Sequence, residues 1–376
     1  LRQSIKTYYL FKPLHIAILG CRGIPNHYGG FEQLAEHLSK GLVEHGHTVS
    51  VYNTHDHPYQ DKVWENVEII HCNNPEKKLG TAGQFLYDRN CILDARGRNF
   101  DVVLFLGYTS SSVWGRWFPR SVIISNMDGL EWKRSKYSLP VRWFLRRAEA
   151  MAIRYSHFFV ADSPLIQDRL QQQYAVSSKY IAYGASQYEQ YDTTVLQQFG
   201  LSARDYDMLM ARMEPENNVE MILKGFTATG ASRRLLVVGN MQNAFGKKMI
   251  SRFGHDKRLV FAGPIFDQAV NHSLRHYCSL YFHGHSVGGT NPSLLEAMSD
   301  GALIAAHDNG FNRAVLGDDA FYFSTAADVS SIVQTQSGNE EMTERNKARI
   351  QEQYNWPHII AQYATFIEHC YNRKKR

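Results

Sequence analysis

The chain is poor in cysteine. Five occur in 376 residues, at Cys21, Cys72, Cys91, Cys278 and Cys370, and no two form a Cys-x-x-Cys pair. An odd, scattered set excludes a disulfide framework and fits a reducing, cytoplasmic compartment. No apolar run approaches the ~20 residues needed to cross a bilayer. The opening Leu1–Pro13 carries Lys6 and Lys12 around Tyr8-Tyr9-Leu10-Phe11, too short and too aromatic for a secretory leader. There is no Pro-rich or Gly/Ser-rich linker, no short repeat and no low-complexity tract. Charge of one sign is also scarce. A net +5 spread over the whole chain does not by itself indicate nucleic acid.

What is present is an ordinary globular composition, 44% hydrophobic and 20% charged, which argues against disorder. The length suits two domains, each with its own core. Short apolar runs rich in Val, Ile and Phe recur at Leu14–Gly20, Thr48–Asn53, Val67–Cys72, Asp101–Gly107, Ser121–Asn126, His157–Asp162 and Lys179–Tyr183. They alternate little with polar residues, as expected of parallel strands buried on both faces. Phe31, Leu34, Ala35, Leu38, Leu42 and Val43 repeat at helical spacing between the first two, and Gly46 ends that helix. A second series follows at Tyr206–Ala211, Arg234–Gly239, Arg258–Ala262, Ser279–His283, Leu303–Ala306 and Ala320–Phe323. Two βα series predict an α/β protein of two Rossmann-like domains. The polar, strand-poor stretch Gly184–Asp205 holds the join. Ligands of such sheets lie beyond the carboxyl ends of the strands, so the cleft between the domains is the expected site.

Four segments that follow strands carry chemistry. The first runs from Gly20 to Glu32, and Gly29 and Gly30 open the first helix, where backbone N–H groups can meet an anion. A plain strand-to-helix turn is the alternative. The spacing differs from G-x-G-x-x-G, which disfavours a nicotinamide dehydrogenase. The second is Ala211-Arg212-Met213-Glu214-Pro215-Glu216-Asn217-Asn218. The guanidinium of Arg212 suits two oxygens of a diphosphate, and Asn217 or Asn218 caps the next helix. The alternative is a surface Arg–Glu pair beside a cap. The third is His283 to Met298, in which Asn291 and Pro292 start a helix behind Gly288, Gly289 and Thr290. Glu296, set among Leu294, Leu295, Ala297 and Met298, needs a partner for its charge, which a ribose diol would supply. The fourth is Ser125 to Arg134, where Asp128 and Glu131 can bind acceptor hydroxyls or take a proton, against the alternative of a helix cap.

Two further patterns were weighed. His272 and His276, with His283 and His285, have a spacing open to zinc, but no Asp or Cys completes the set, so no metal is expected. From Trp114 to Arg154 basic residues (Arg116, Arg120, Lys133, Arg134, Lys136, Arg142, Arg146, Arg147) mix with Trp117, Trp132 and Trp143. That mixture suits an anionic membrane surface or a lipid diphosphate, with nucleic acid as the rival.

Together the motifs G-x-R-G-I-P-x-x-Y-G-G-F-E, N-M-D-G-L-E-W-K-R, R-x-E-P-E-N-N and H-G-H-S-V-G-G-T-N-P-S-L-L-E-A-M resemble the retaining family-4 glycosyltransferases of GT-B fold. More narrowly, the chain is similar to bacterial β-1,4-rhamnosyltransferases of capsule and cell-wall polysaccharide synthesis. The resemblance implies an acceptor-side domain at 1–185, a donor-side domain at 186–355 and a terminal helix, 356–376, crossing back to the first domain. It implies that Arg212 holds the donor diphosphate and Glu296 the ribose. Gly288, Gly289 and Thr290 meet the donor sugar and phosphate through backbone amides, and Gly29 and Gly30 face the cleft. Asn218, His285 and Asn291 are expected on the donor side. Tyr28, Phe31, Glu32, Glu131, Lys133 and Arg134 are expected around the acceptor, with Asp128 in a catalytic position. The family's first glutamate is replaced here by Gly288 and its lysine by Asn218. The implied reaction is metal-free transfer, with no cofactor, from a dTDP- or UDP-linked sugar, foremost L-rhamnose. The acceptor is a polyprenyl-diphosphate-linked saccharide at the inner membrane face. A nucleotide-sugar epimerase or hydrolase of the same fold, or a non-catalytic sugar-nucleotide-binding protein, stands as the alternative.

Overall fold

A computed structural model describes residues 12–127, 129–134, 137–335 and 338–374. The expected catalytic Asp128, together with Lys6, Lys136 and the Tyr8–Phe11 cluster, lies outside the described residues. The first half of the chain forms β1 (His15–Leu19), α1 (Gly30–Glu44), β2 (Thr48–Thr54), β3 (Val63–Trp64), β4 (Val67–Cys72), α2 (Glu76–Leu79) and α3 (Thr81–Arg96). It continues through β5 (Val102–Leu106), β6 (Val122–Asn126), α4 (Leu139–Tyr155), β7 (Phe158–Ala161), α5 (Pro164–Tyr174) and β8 (Lys179–Tyr180). The second half forms β9 (Tyr206–Met210), α6 (Val219–Thr227), β10 (Arg234–Val238), α7 (Ala244–Phe253), β11 (Leu259–Gly263), α8 (Gln268–Tyr277) and β12 (Leu280–His283). It ends with α9 (Pro292–Ser299), β13 (Ile304–His307), α10 (Gly310–Leu316), β14 (Phe321–Phe323), α11 (Ala326–Thr335), α12 (Glu340–Arg349) and α13 (Trp356–Lys374).

The strands make two sheets, ordered β3-β4-β2-β1-β5-β6-β7-β8 and β11-β10-β9-β12-β13-β14. Every pairing is parallel except β3 with β4. The central strands are buried along their whole length, as in Val102–Leu106 and Leu280–His283, which explains their unbroken apolar runs. The two-domain α/β expectation therefore holds. The two-residue antiparallel β3 was not foreseen, because Val63-Trp64 is too short to show a period. β8 stops at Tyr180 rather than Tyr183. In each sheet the chain reverses its direction of travel at one point, between β1 and β5 in the first and between β9 and β12 in the second. Those switch points are where an open α/β sheet leaves a crevice.

The domains are tied by two adjacent chain crossings. The Ala185 amide donates to the Tyr354 carbonyl at 2.7 Å, and Ala185 pairs with Asn355 as a lone parallel bridge. The Trp356 ring occupies the space a side chain on Gly184 would need. From there α13 lies back on the first domain. Ile360 fills the gap left at Gly41 of α1, and Asn126 donates to the Tyr363 hydroxyl at 3.1 Å. His47 meets Glu368 at 3.3 Å, and Lys374 donates to the Ser121 carbonyl at 2.7 Å. One apolar cluster runs from Ile16 and Val51 through Tyr183 and Trp356 to Met208 and Leu295. No described helix is long and apolar enough to cross a membrane.

One buried acid behind the first sheet makes the fold pH-sensitive. Asp88 on α3 is 4% exposed, and Ser110 donates to it at 2.5 Å. Burial pushes its pKa up to about 7. In the unfolded chain the same group ionises near 4. As pH rises through that interval the unfolded chain releases a proton that the folded chain keeps, so stability falls between about pH 4 and 7 and then levels off. Asp88→Asn keeps an acceptor for Ser110 and removes the titration. Its melting temperature should exceed that of the parent by several degrees at pH 8, with the gap closing toward pH 4, as read by thermal denaturation across pH.

Candidate active site

The loops that leave β1, β5, β9 and β12 all open on the same cleft. After β1, the 20–29 loop is braced from below. Ile24 and Asn53 exchange hydrogen bonds at 3.0 and 2.8 Å, and the Arg22 amide donates to Glu32 at 2.7 Å. The Arg22 guanidinium pairs with Glu76 at 2.8 Å and lies 3.9 Å over the Tyr28 ring. The extended Gly29 then starts α1 without a side-chain cap. The first-turn amides of an uncapped helix remain available to an anion.

Across the cleft α9 begins in a different way. Asn291 accepts from the Ser293 amide at 3.0 Å, and Pro292 takes the first helical position, both as expected. The two helix starts nearly touch. A Cβ on Gly30 would sit 3.3 Å from Pro292 Cγ, and one on Gly289 would fall 1.9 Å from an Asp162 carboxylate oxygen. Thr290 donates through its hydroxyl to the Asp162 carbonyl at the end of β7. Gln33 Nε2 of α1 donates to Glu296 Oε1 of α9 at 3.3 Å.

The other oxygen of Glu296 meets a cation. Arg275 Nη1 lies 3.2 Å from Glu296 Oε2, and Arg275 Nε lies 2.6 Å from Asp300 Oδ2. Arg275 is fully buried on α8, and Asp300 is buried just past α9. Burial works against the guanidinium charge, but Glu296 and Asp300 outweigh it and raise the pKa. The partner that the sequence reading assigned to a ligand is thus supplied first by Arg275, a correction with a plain cause: a carboxylate this enclosed must be compensated before any ligand arrives. His272 bonds Asp300 at 2.7 Å and stacks on Tyr188, while His276 bonds the Asp300 carbonyl at 2.9 Å and stacks on Tyr191. Among the described residues no group of His, Cys, Asp and Glu is arranged for a metal ion.

Arg212 stands where β9 ends. It is exposed, and its side chain makes no hydrogen bond or ion pair with the described residues. The neighbouring loops are zipped together. Asn218 donates to the Gly284 carbonyl at 2.8 Å, and the Ser286 hydroxyl donates to the Glu216 carbonyl at 2.7 Å. Asn218 therefore does not cap α6 with its side chain, as had been expected. It has a left-handed backbone, φ +51, and spends its amide on the 284 turn. His283 and His285 stack at 4.5 Å, and Asn309 and Asn312 hold the His285 carbonyl at 3.0 and 3.1 Å. Burial, then the charges of Arg212 and Arg134, pushes His285 down to about 3. Burial also lowers His283. Both rings are neutral across the physiological range.

Arg134 crosses from the first domain. Its Nε meets Glu131 at 2.8 Å, and its Nη1 reaches toward Glu216 and Glu214 at 3.8 and 4.0 Å. Of the expected acceptor residues, Tyr28 is 65% exposed at the cleft mouth, and Phe31 packs against Gly107 after β5. Lys133 is exposed beside the Trp132 ring. Glu32 departs from expectation. It is 4% exposed, burial raises its pKa, and it holds the 20–29 loop rather than facing an acceptor. Gly288 has open space where a side chain would begin, whereas Gly289 is closed in by Asp162. The structure thus brings Gly30, Glu296 and the 288–291 turn together, and separately Arg134, Glu214, Glu216, Arg212 and His285. Arg275, Asp300, Gln33 and Asp162 escaped the sequence reading. The enclosed Glu296 is the signal for Arg275, which lies between His272 and His276 on α8.

Comparison with known proteins fits this geometry. Residues 112–186 match a family described as a domain of unknown function, DUF1972. No curated protein matches the chain. Among solved structures, a sucrose-phosphate synthase from Thermosynechococcus elongatus aligns with a TM-score of 0.77 at 16% identity, covering 96% of this chain and 100% of its own. Anabaena HepE in complex with UDP and glucose aligns at 0.71 and 16% identity, covering 95% and 100%. A glycosyltransferase from Rickettsia africae aligns at 0.65 and 13% identity, covering 96% and 99%. The chain therefore has the two-domain fold of these glycosyltransferase structures.

Replacing Arg275 tests the network under Glu296. Arg275→Met leaves two enclosed carboxylates uncompensated and should cost about 3–5 kcal/mol in urea unfolding. Combining it with Asp300→Asn should cost less than the sum of the two single changes, because one uncompensated charge is then gone.

Proposed function

We propose that this protein is a glycosyltransferase that takes a sugar from a nucleotide diphosphate donor bound in the interdomain cleft. The observation that carries the reading is Glu296, presented to the cleft by Arg275 on one oxygen and reached by Gln33 of the opposite domain on the other. A carboxylate held in this way is an acceptor fixed in place for a vicinal diol such as ribose, which displaces Gln33 as it binds. The uncapped start of α1 and the uncommitted guanidinium of Arg212 suit the two phosphates. That HepE has been captured with UDP and with UDP-glucose supports a nucleotide-sugar donor.

In the finer reading the donor is dTDP-L-rhamnose and the product keeps the donor's anomeric configuration without a metal. The bond between the anomeric carbon and the phosphate oxygen breaks, and one to the acceptor oxygen forms. The acceptor proton passes to the departing phosphate, so no side chain is needed as base. Charge growing on the diphosphate is stabilised by Arg212 and by helix-start amides, which is where most of the rate enhancement arises. Gly288 has open space where the family's glutamate side chain would begin, which leaves room for the donor sugar. Closure of the domains excludes water and limits hydrolysis.

The acceptor in this reading is a polyprenyl-diphosphate-linked saccharide, and the protein works on the inner face of the membrane. The surface of α4 supports it. Leu139 is 78% and Trp143 61% exposed, and Arg147 lies 4.7 Å over the Trp143 ring. Exposed apolar residues among arginines fit an anionic interface.

Two measurements check the reading. With labelled dTDP-rhamnose and a lipid-linked acceptor, Arg212→Ala should lower kcat roughly 100-fold or more at an unchanged melting temperature. Near-normal transfer by that variant, or equal sugar release with donor alone, would sink the assignment in favour of a hydrolase or epimerase. In flotation assays the protein should bind phosphatidylglycerol vesicles and not phosphatidylcholine vesicles. Leu139→Asp with Trp143→Asp should abolish that binding and leave transfer to a soluble acceptor intact.

A further inference from the structure

Away from the cleft, a groove of about 580 Å³ runs between α13 and the β7–β8 edge of the first sheet. Its walls include Phe158 and Phe159, which begin β7, and Ala361 and Phe366 of α13. These strand ends are the amino ends, opposite to the ends that face the cleft. Four side chains on the rim are basic: Lys179 on β8 and His358, His369 and Arg373 on α13. All four are exposed, and none is in an ion pair with a described carboxylate. No acidic residue is among those lining the groove. A second cavity of about 380 Å³ shares Lys179, His358 and Gln362 and carries the groove on to Tyr354 and Ala182, beside the interdomain crossing.

A groove with aromatic walls, basic rims and no carboxylate selects an anion with an apolar body. Its volume is that of an ordinary small-molecule site. Its shape narrows the class further. His358 to Arg373 spans 15 residues of helix, about 22 Å at 1.5 Å per residue, so the groove is long rather than compact. A long apolar body with one charged end fits it better than a nucleoside does. Lys179 and His358, which the groove and the second cavity share, lie at one end and suit a phosphate head. We propose that this groove is a second ligand site, separate from the interdomain cleft, and that it takes a prenyl phosphate. The ligand's chain lies along Phe158, Ala361 and Phe366 and its phosphate meets Lys179 and His358. A ligand seated there braces α13 against the sheet edge close to the crossing that joins the domains.

Calorimetric titration of the full chain with farnesyl phosphate tests the site. Binding is expected for farnesyl phosphate, and not for farnesol or inorganic phosphate, each of which lacks one half of the recognised chemistry. Saturating UDP should leave the affinity unchanged. Lys179→Glu with His358→Glu should weaken binding about tenfold or more, the worth of lost charge-assisted hydrogen bonds. Ala361→Trp, which fills the groove at an exposed position, should weaken it as well. Circular dichroism checks that both variants are folded. Displacement by UDP would assign the binding to the cleft and overturn the proposal. Parental affinity in both folded variants, or no binding of farnesyl phosphate, would overturn it too. Tighter binding of thymidine monophosphate than of farnesyl phosphate would show a nucleotide site instead.

Discussion

Everything in the cleft depends on how closely two helix starts approach one another, and that distance is set by two missing side chains. At Gly30 the first domain comes within van der Waals reach of Pro292, and at Gly289 the second domain lets the Asp162 carboxylate stand where a Cβ would be. A methyl group at Gly289 would overlap an oxygen, so the 288–291 turn would have to lift. With that turn would go the start of α9, and with α9 the position of Glu296. The hydrogen bond between Gln33 and Glu296 is a consequence of this approach rather than its cause. One side-chain hydrogen bond does not hold two domains together. The shared apolar core and the crossing at Ala185 and Asn355 do.

The electrostatics of the cleft follow the same economy. Arg275 is buried beneath Glu296, and it stays charged because Glu296 and Asp300 both face it. One guanidinium faces two carboxylates, so the cleft gains a fixed acceptor whose charge Arg275 offsets only in part. Nearer the mouth the arrangement differs. Arg134 leans toward Glu214 and Glu216, while Arg212 is left without such a partner among the described residues. Two neutral imidazoles, His283 and His285, fill the space beneath, and their low pKa values keep a third positive charge away from Arg212. The result is an uncommitted cation in one part of the cleft and a fixed carboxylate in another, a combination suited to a ligand with an anionic end and a hydroxylated end.

Much of this was legible in the sequence, for identifiable reasons. Strands buried on both faces write themselves as unbroken runs such as Val102–Leu106, so the two sheets and their order of elements could be read directly. Caps such as Asn291-Pro292 are local chemistry and were equally plain. Most of the failures are non-local. Whether Asn218 caps its own helix or bonds the Gly284 carbonyl, 66 residues on, depends on a contact that no window contains. The resemblance placed Glu32 around the acceptor, yet its carboxylate folds back to the Arg22 amide. Arg275 was hidden because its partners, Glu296 and Asp300, meet it only after α8 and α9 pack. β3 is two residues long and has no period to detect.

The return of α13 to the first domain has a consequence for how the chain is made. Ile360, Tyr363 and Ile367 cover apolar surface of a domain whose strands all precede residue 181. During synthesis that surface exists long before its cover does, since the entire second domain must be translated in between. Domains emerging from the ribosome usually complete their cores in order. Here the first domain keeps an uncovered apolar face until α13 arrives. Only the arrival of the late helix closes both domains, and it closes them together.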